Sequence, residues 1–319
     1  MTSRVVPTPN PHGRRGWARW ACAALATCLI LLSSCSDSPT ACLPGTFAER
    51  LQAAVDEGFA QSGGKGISVS VMVPGEPMWT GVAGVSHGSV PITERSVFAA
   101  GSITKTFTAL TLLRLMEEGY LSLDDSLHTW FPAYPNVDPD ITLRQLLNHT
   151  SGLSDFVDPP GWFSWLYSDP TRTWDMEEFF LETIRPPYFE KGTAWSYSTS
   201  GYLARLGNAL MRERTLLEDS TYEEMTDFYF PNRHDEPMAY GYGLGLMWFD
   251  PSFVSGQKVL GHGGNPPGYA AGMLHLPDYG AIVALMDNTE EGEAMTVLGP
   301  VLEVIMDRGL TSPSSQGGS

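Results

Sequence analysis

The sequence predicts a mixed α+β domain whose sheet is assembled from both ends of the chain, with helices packed over it and a mostly helical middle. Three observations carry this reading. β-branched, strand-like segments occur early, over 67–73 and 78–85. Four more occur late, over 240–249, 257–262, 269–276 and 280–286. Between the two groups the clearest apolar spacing is that of helices.

Each helix has its own signal. Phe47, Leu51, Val55 and Phe59 recur about one turn apart over 46–60, and Gly63-Gly64 closes that segment. From Ser102 to Glu118, Ile103, Phe107, Leu110, Leu113 and Leu115–Met116 form a broad apolar face, and Gly119 is the natural stop. Shorter helical patterns follow at 141–148, 176–183 and 202–214, and a last one at 293–307. Trp162, Trp165, Trp174 and Tyr188 lie in a Pro/aromatic stretch that either walls a pocket or fills a core. No internal repeat occurs. Residues 46–310 therefore read as one domain, and the Ser/Gly-rich residues 311–319 as a disordered tail.

The first residues predict export. Arg14, Arg15 and Arg19 precede an apolar run from Ala21 to Leu32 that ends in small residues, the layout of a secretory signal over 1–34. That run is shorter than the roughly twenty residues a permanent membrane helix needs. Leu32-Ser33-Ser34-Cys35 resembles the bacterial lipoprotein box, so Cys35 is the expected lipidation site and 35–45 a tether to a membrane. An ordinary cleaved signal with an unmodified cysteine is the alternative. Beyond Cys42 the chain has no cysteine, which excludes a cysteine nucleophile and a thiolate metal site in the body. About 265 residues remain, ample for a core without disulfides.

The formal net charge is −17. Loss of Arg4, Arg14, Arg15 and Arg19 with the signal would leave 15 basic against 36 acidic residues. Such a field argues against nucleic acid as a partner and against a basic membrane-binding face. No H-E-x-x-H or similar metal spacing is present, and no cofactor is expected.

The chemistry begins at Gly101-Ser102-Ile103-Thr104-Lys105. Serine and lysine three apart at a helix start share one face, and the helix N-terminus favours developing negative charge near the serine. Lysine accepts a proton there only if its surroundings lower its pKa by several units. Ser62/Lys65 and Ser255/Lys258 have the same spacing, but one sits in a glycine-rich turn and the other in a Gly-Gln loop. Gly84-Val85-Ser86-His87-Gly88 fits the G-x-S-x-G nucleophile elbow, yet Val90-Pro91-Ile92 follows and no helical pattern begins for about ten residues. Ser86 is therefore read as a loop serine.

Four ordered segments carry a wider likeness. Phe98 to Phe107 holds the nucleophile, and Leu146-Leu147-Asn148-His149-Thr150-Ser151-Gly152-Leu153 forms a distinctive second stretch. Tyr197-Ser198-Thr199 and Gly261-His262-Gly263-Gly264 follow in order. Together these resemble the serine beta-lactamase-related hydrolases: class C beta-lactamases, D-alanyl-D-alanine carboxypeptidases and their esterase and amidase relatives. The resemblance implies an antiparallel sheet and an acyl-enzyme on Ser102, with proton transfer shared by Lys105 and Tyr197. It also implies an oxyanion hole from the backbone N–H groups of Ser102 and Asn265, substrate contacts from Thr199, Gly263 and Gly264, and for His262 either a substrate contact or a part in shaping the pocket. Tyr197 as a packed aromatic is the alternative, and His149 and Ser151 are expected to order their loop.

Two departures narrow the substrate. Thr199 stands where the family pattern has asparagine, so an amide donor–acceptor pair is lost. His262 replaces the lysine of the Lys-Thr-Gly version, and a neutral imidazole grips a carboxylate less firmly than an ammonium. Only 65 residues separate Tyr197 from His262, and the shortening falls near 215–238, which predicts a more open or a compromised pocket. The leading expectation is a serine hydrolase for an ester, a D-amino-acid peptide or a related amide. The alternatives are a beta-lactamase or D-alanyl-D-alanine carboxypeptidase proper, and a non-catalytic envelope protein that binds peptidoglycan fragments.

Overall fold

Thr46 opens the first helix with a capping box. Its hydroxyl accepts from the Glu49 N–H at 3.3 Å, and the Glu49 carboxylate accepts from the Thr46 N–H at 2.7 Å. The computed structural model describes residues 45–130, 132–155, 168–169, 184–196, 216–229, 240–251, 256–289 and 294–308. Helix α1 runs Phe47–Ser62 and ends at Gly63, whose φ of 65° suits glycine. Strands β1 (Gly66–Met72) and β2 (Trp79–Gly84) follow as an antiparallel pair.

After a long connection comes a 3₁₀ turn at Gly101–Ile103, which leads directly into α2 (Thr104–Glu117). Helix α3 (Leu143–Leu147) carries a second capping box, between Thr142 and Gln145. Helix α4 (Asp219–Met225) then precedes β3 (Tyr240–Tyr242) and β4 (Met247–Phe249). Strands β5 (Val259–Gly264), β6 (Ala270–Leu276) and β7 (Ala281–Asp287) and helix α5 (Ala294–Met306) complete the described chain.

The strands form one sheet in the order β2-β1-β7-β6-β5-β4-β3, with every pairing antiparallel. The sheet predicted from both chain ends is the sheet observed, because β1 lies directly against β7. Alternation divides the strand side chains between two cores. Ile67, Val69, Val71, Val283 and Leu285 join Leu51, Val55, Val297 and Val301 in the core beneath α1 and α5. Ala271, Met273 and Ile282 join Ile103, Ala109, Leu110 and Leu113 in the core beneath α2. Each fully buried aliphatic side chain contributes about 1.5–3 kcal/mol.

Three expectations change. The single strand predicted over 240–249 is a hairpin, because Gly243 to Leu246 turn the chain between β3 and β4. Ser102 belongs to the 3₁₀ turn, and the α-helix starts two residues later. Helix α4, anchored by buried Tyr222 and Met225, forms where the sequence predicted no helix. The helices expected at 176–183 and 202–214 lie outside the described residues, as do Cys35, Trp162, Trp165, Trp174 and Ser255.

Candidate active site

The serine turn and the end of β5 meet at backbone distance. A Cβ on Gly264 would stand 2.0 Å from the Ala100 carbonyl oxygen and 2.9 Å from the Ser102 nitrogen. A Cβ on Gly101 would stand 2.5 Å from Pro266 and 3.1 Å from the Asn265 nitrogen, and Gly101 has a φ of 54°. Glycine at these two positions is a condition of the approach. The amides of Ser102 and Asn265 thus border one junction. Gly263 differs, since a Cβ there would find its nearest neighbour, the Ala271 oxygen, only at 3.8 Å.

Ser102 is buried, and its Oγ lies 3.5 Å from the Lys105 Nζ. Ser102 in the 3₁₀ turn and Lys105 at the start of α2 lie three residues apart and so share one face. Burial pulls the Lys105 ammonium down to about 7, against the opposing pull of the Asp155 carboxylate. Near neutrality, then, a substantial share of Lys105 is a free amine able to accept a proton. Thr106, one residue on, donates from its hydroxyl to the Gly245 carbonyl at 2.6 Å and ties α2 to the β3–β4 turn.

His149 and His262 are both buried, and both are held well toward the neutral form. Burial is the main cause for each, with Lys105 adding charge repulsion. His262 Nδ1 lies 2.6 Å from the Gly263 carbonyl oxygen, and its Nε2 lies 2.9 Å from the Tyr242 hydroxyl. Of the two roles expected of His262, its burial fits shaping the pocket rather than touching substrate. It is fully enclosed, with both ring nitrogens engaged by protein, and it shapes the wall behind β5.

His149 orders its loop through its backbone, with a left-handed φ of 63° and a carbonyl that accepts from the Ser196 N–H at 3.0 Å. The Ser151 hydroxyl accepts from the Leu153 N–H at 3.3 Å within the same loop. Tyr188, expected in a pocket wall or a core, accepts from the Asp155 N–H at 2.8 Å and clamps that loop. Tyr197 and Thr199 lie outside the described residues.

Of the decoys, Ser62 points back to the Phe59 carbonyl at the end of α1. Ser86 sits in the exposed loop after β2, 3.1 Å from the His87 ring. Asp155 and Tyr242 were not singled out by sequence. Asp155 stands two residues past the distinctive second stretch, and Tyr242 had no signal beyond its aromatic strand. Among the described residues no three His, Cys, Asp or Glu side chains gather as a metal site.

An antiparallel sheet flanked by helices, with a serine–lysine turn set against one of its strands, defines the beta-lactamase/transpeptidase architecture. Residues 51–212 match the Beta-lactamase family, and the chain belongs to it. It is 36% identical over 115 residues to Penicillin-binding protein 4* of Bacillus subtilis, across 35% of this chain and 24% of that protein. With Esterase EstB of Burkholderia gladioli the figure is 29% over 175 residues, covering 48% and 42%. These matches thus span less than half the length of either curated relative.

Among solved structures, a D-stereospecific amidohydrolase from Streptomyces sp. superposes with a TM-score of 0.64 at 24% identity, over 80% of this chain and 98% of that one. The D-amino acid amidase of Ochrobactrum anthropi gives 0.66 at 19%, over 83% and 99%. At these identities the likeness shows the fold alone.

Proposed function

We propose that this protein is a serine hydrolase that forms an acyl-enzyme on Ser102 and acts on an ester, a D-amino-acid peptide or a related amide. The observation that carries this is the buried Ser102–Lys105 pair at 3.5 Å, with the lysine pulled to about 7 beside the amides at the β5 junction. Neutral Lys105 takes the Ser102 proton as Oγ bonds to the substrate carbonyl carbon. The resulting oxyanion accepts from the Ser102 and Asn265 N–H groups, where losing one such donor typically costs about 10²–10³ in rate. Collapse of that intermediate expels the leaving group, which takes a proton from Lys105 or, by its place in the sequence motif, Tyr197. Water, giving a proton to neutral Lys105, then attacks the acyl carbonyl; the Oγ–acyl bond breaks, the acid leaves, and Lys105 returns the proton to the Ser102 Oγ.

The names of the relatives support this class and its breadth: one is an esterase, and others are D-amino acid amidases and penicillin-binding proteins. A carboxypeptidase or beta-lactamase is less well supported, because the enclosed His262 offers no charge to a substrate carboxylate. The retained serine–lysine pair argues against a purely binding role. Export with lipidation at Cys35 is part of the proposal and rests on residues 14–35. Radiolabelled palmitate incorporation that is lost in Cys35→Ala would support it.

Intact-mass measurement after treatment with a fluorophosphonate, a penicillin and an activated short-chain ester tests the central claim. A single adduct in the wild type and none in Ser102→Ala is the expected result. Folded wild type without any adduct, or equal labelling of Ser102→Ala, would falsify it. Comparing turnover of neutral esters with a D-Ala-D-Ala peptide then separates the substrate classes.

A further inference from the structure

Tyr242 and His262 form a buried polar pair between strands that are not neighbours. Tyr242 ends β3, His262 lies within β5, and β4 stands between them in the sheet. Both side chains are fully enclosed. The phenol also packs on His149, with ring centroids 4.5 Å apart, and approaches Trp195 at 6.1 Å. One side chain therefore touches β5, the loop after α3 and the segment containing Trp195.

The protons of this pair follow from its partners. The Gly263 carbonyl oxygen can only accept, so the hydrogen lies on His262 Nδ1. A neutral ring then offers a lone pair at Nε2, and the Tyr242 hydroxyl must donate to it. The result is a directed chain from Tyr242 O–H through the imidazole to the Gly263 C=O. That carbonyl belongs to the peptide immediately before the one that carries the Asn265 N–H.

We propose that Tyr242 is a positioning residue: through His262 it fixes the orientation of the Gly263–Gly264 peptide, and with it the aim of the Asn265 N–H at Ser102. The proposal rests on the reading of Asn265 as an oxyanion donor. The geometry gives the chain a purpose. At Gly264 the strand already presses on Ser102, so a small rotation of this peptide swings the next amide away from the junction. The Lys105 ammonium agrees with a neutral His262 ring, since it disfavours a second positive charge there.

Two measurements on the full chain test this, and the first needs no activity. In ¹⁵N-labelled protein, His262 is expected as the Nδ1–H tautomer without titration between pH 5 and 9, and Tyr242→Phe is expected to shift the Asn265 amide resonance. In the second, Tyr242→Phe is expected to slow acylation by a fluorophosphonate between about tenfold and a hundredfold, with KM for an ester substrate little changed. His262→Asn, which keeps a donor near the Nδ1 position, is expected to retain more activity than His262→Gln, which keeps a polar group only near Nε2. That comparison still decides the matter if Tyr242→Phe folds poorly. An Nε2–H tautomer, an unmoved Asn265 amide, acylation within twofold of wild type, or equal rates for the two His262 variants would overturn the proposal. If the wild type is never acylated the proposed function fails, while the resonance measurements still decide the inference.

Discussion

Gly264 and Ser102 are in backbone contact: a Cβ on the glycine would lie 2.9 Å from the Ser102 nitrogen and 2.0 Å from the oxygen of Ala100. Gly264→Ala is therefore expected to force the junction apart and lose acylation. Overpacking of this kind typically costs about 1–3 kcal/mol of stability, read by urea denaturation. Gly263→Ala is the control. Its Cβ would meet only the Ala271 oxygen at 3.8 Å, so stability should stay within about 0.5 kcal/mol.

Lys105 sets the acid limb of activity. Only the neutral amine accepts the Ser102 proton, so kcat/KM should rise with pH through about 7. Asp155 holds the ammonium against the effect of burial, and Asp155→Asn should move that limb to lower pH. A limb that stayed in place would remove Asp155 from the account.

The same lysine costs stability. Its folded pKa lies below the ordinary 10.5, so between about 7 and 10.5 the unfolded chain binds the extra proton. The contribution of Lys105 to stability should consequently improve as pH rises through that window. Lys105→Met should abolish acylation and raise Tm, with a larger gain at pH 6 than at pH 9.

Asp287 works in the opposite direction. It is fully enclosed at the end of β7, and burial raises its carboxyl above the usual range, partly offset by Thr289. Its folded form holds a proton more tightly than the unfolded form, so its contribution is greatest at low pH and is lost as pH rises through the folded pKa. Asp287→Asn is expected to raise Tm at pH 7 and to do so less at pH 4. An equal effect at both pH values would place the cause elsewhere.

Thr106 ties the catalytic helix to the β3–β4 turn. Thr106→Val leaves the Gly245 carbonyl without this 2.6 Å partner in a buried position, at a cost of about 1–3 kcal/mol. Thermal melts compared with an exposed Thr111→Val variant would isolate that effect.

Much of the fold was legible because its signals are local. Helix α1 followed from a one-turn apolar repeat ended by glycines, and β6 and β7 from apolar runs of strand length. The hairpin of β3 and β4 was read as one strand because Gly243 to Leu246 keep an apolar pattern while the backbone turns. Helix α4 was missed because its seven residues carry only Tyr222 and Met225 as an apolar signal, too little for periodicity.

The site divides the same way. Three serine–lysine pairs share the spacing that puts both on one face, and the helical pattern after Ser102 singled out Ser102 and Lys105 among them. Their order with Leu146 to Leu153, Tyr197 to Thr199 and Gly261 to Gly264 carried the resemblance to the family. The acidity of Lys105, the enclosure of His262 and the parts of Asp155 and Tyr242 required the packed chain. Each depends on which distant side chains exclude water from the same place, such as Tyr242 reaching His262 across an intervening strand. Sequence determines which groups are available and where local structure will present them; tertiary packing decides their protonation and their partners, because burial and charge proximity are properties of segments far apart in the chain.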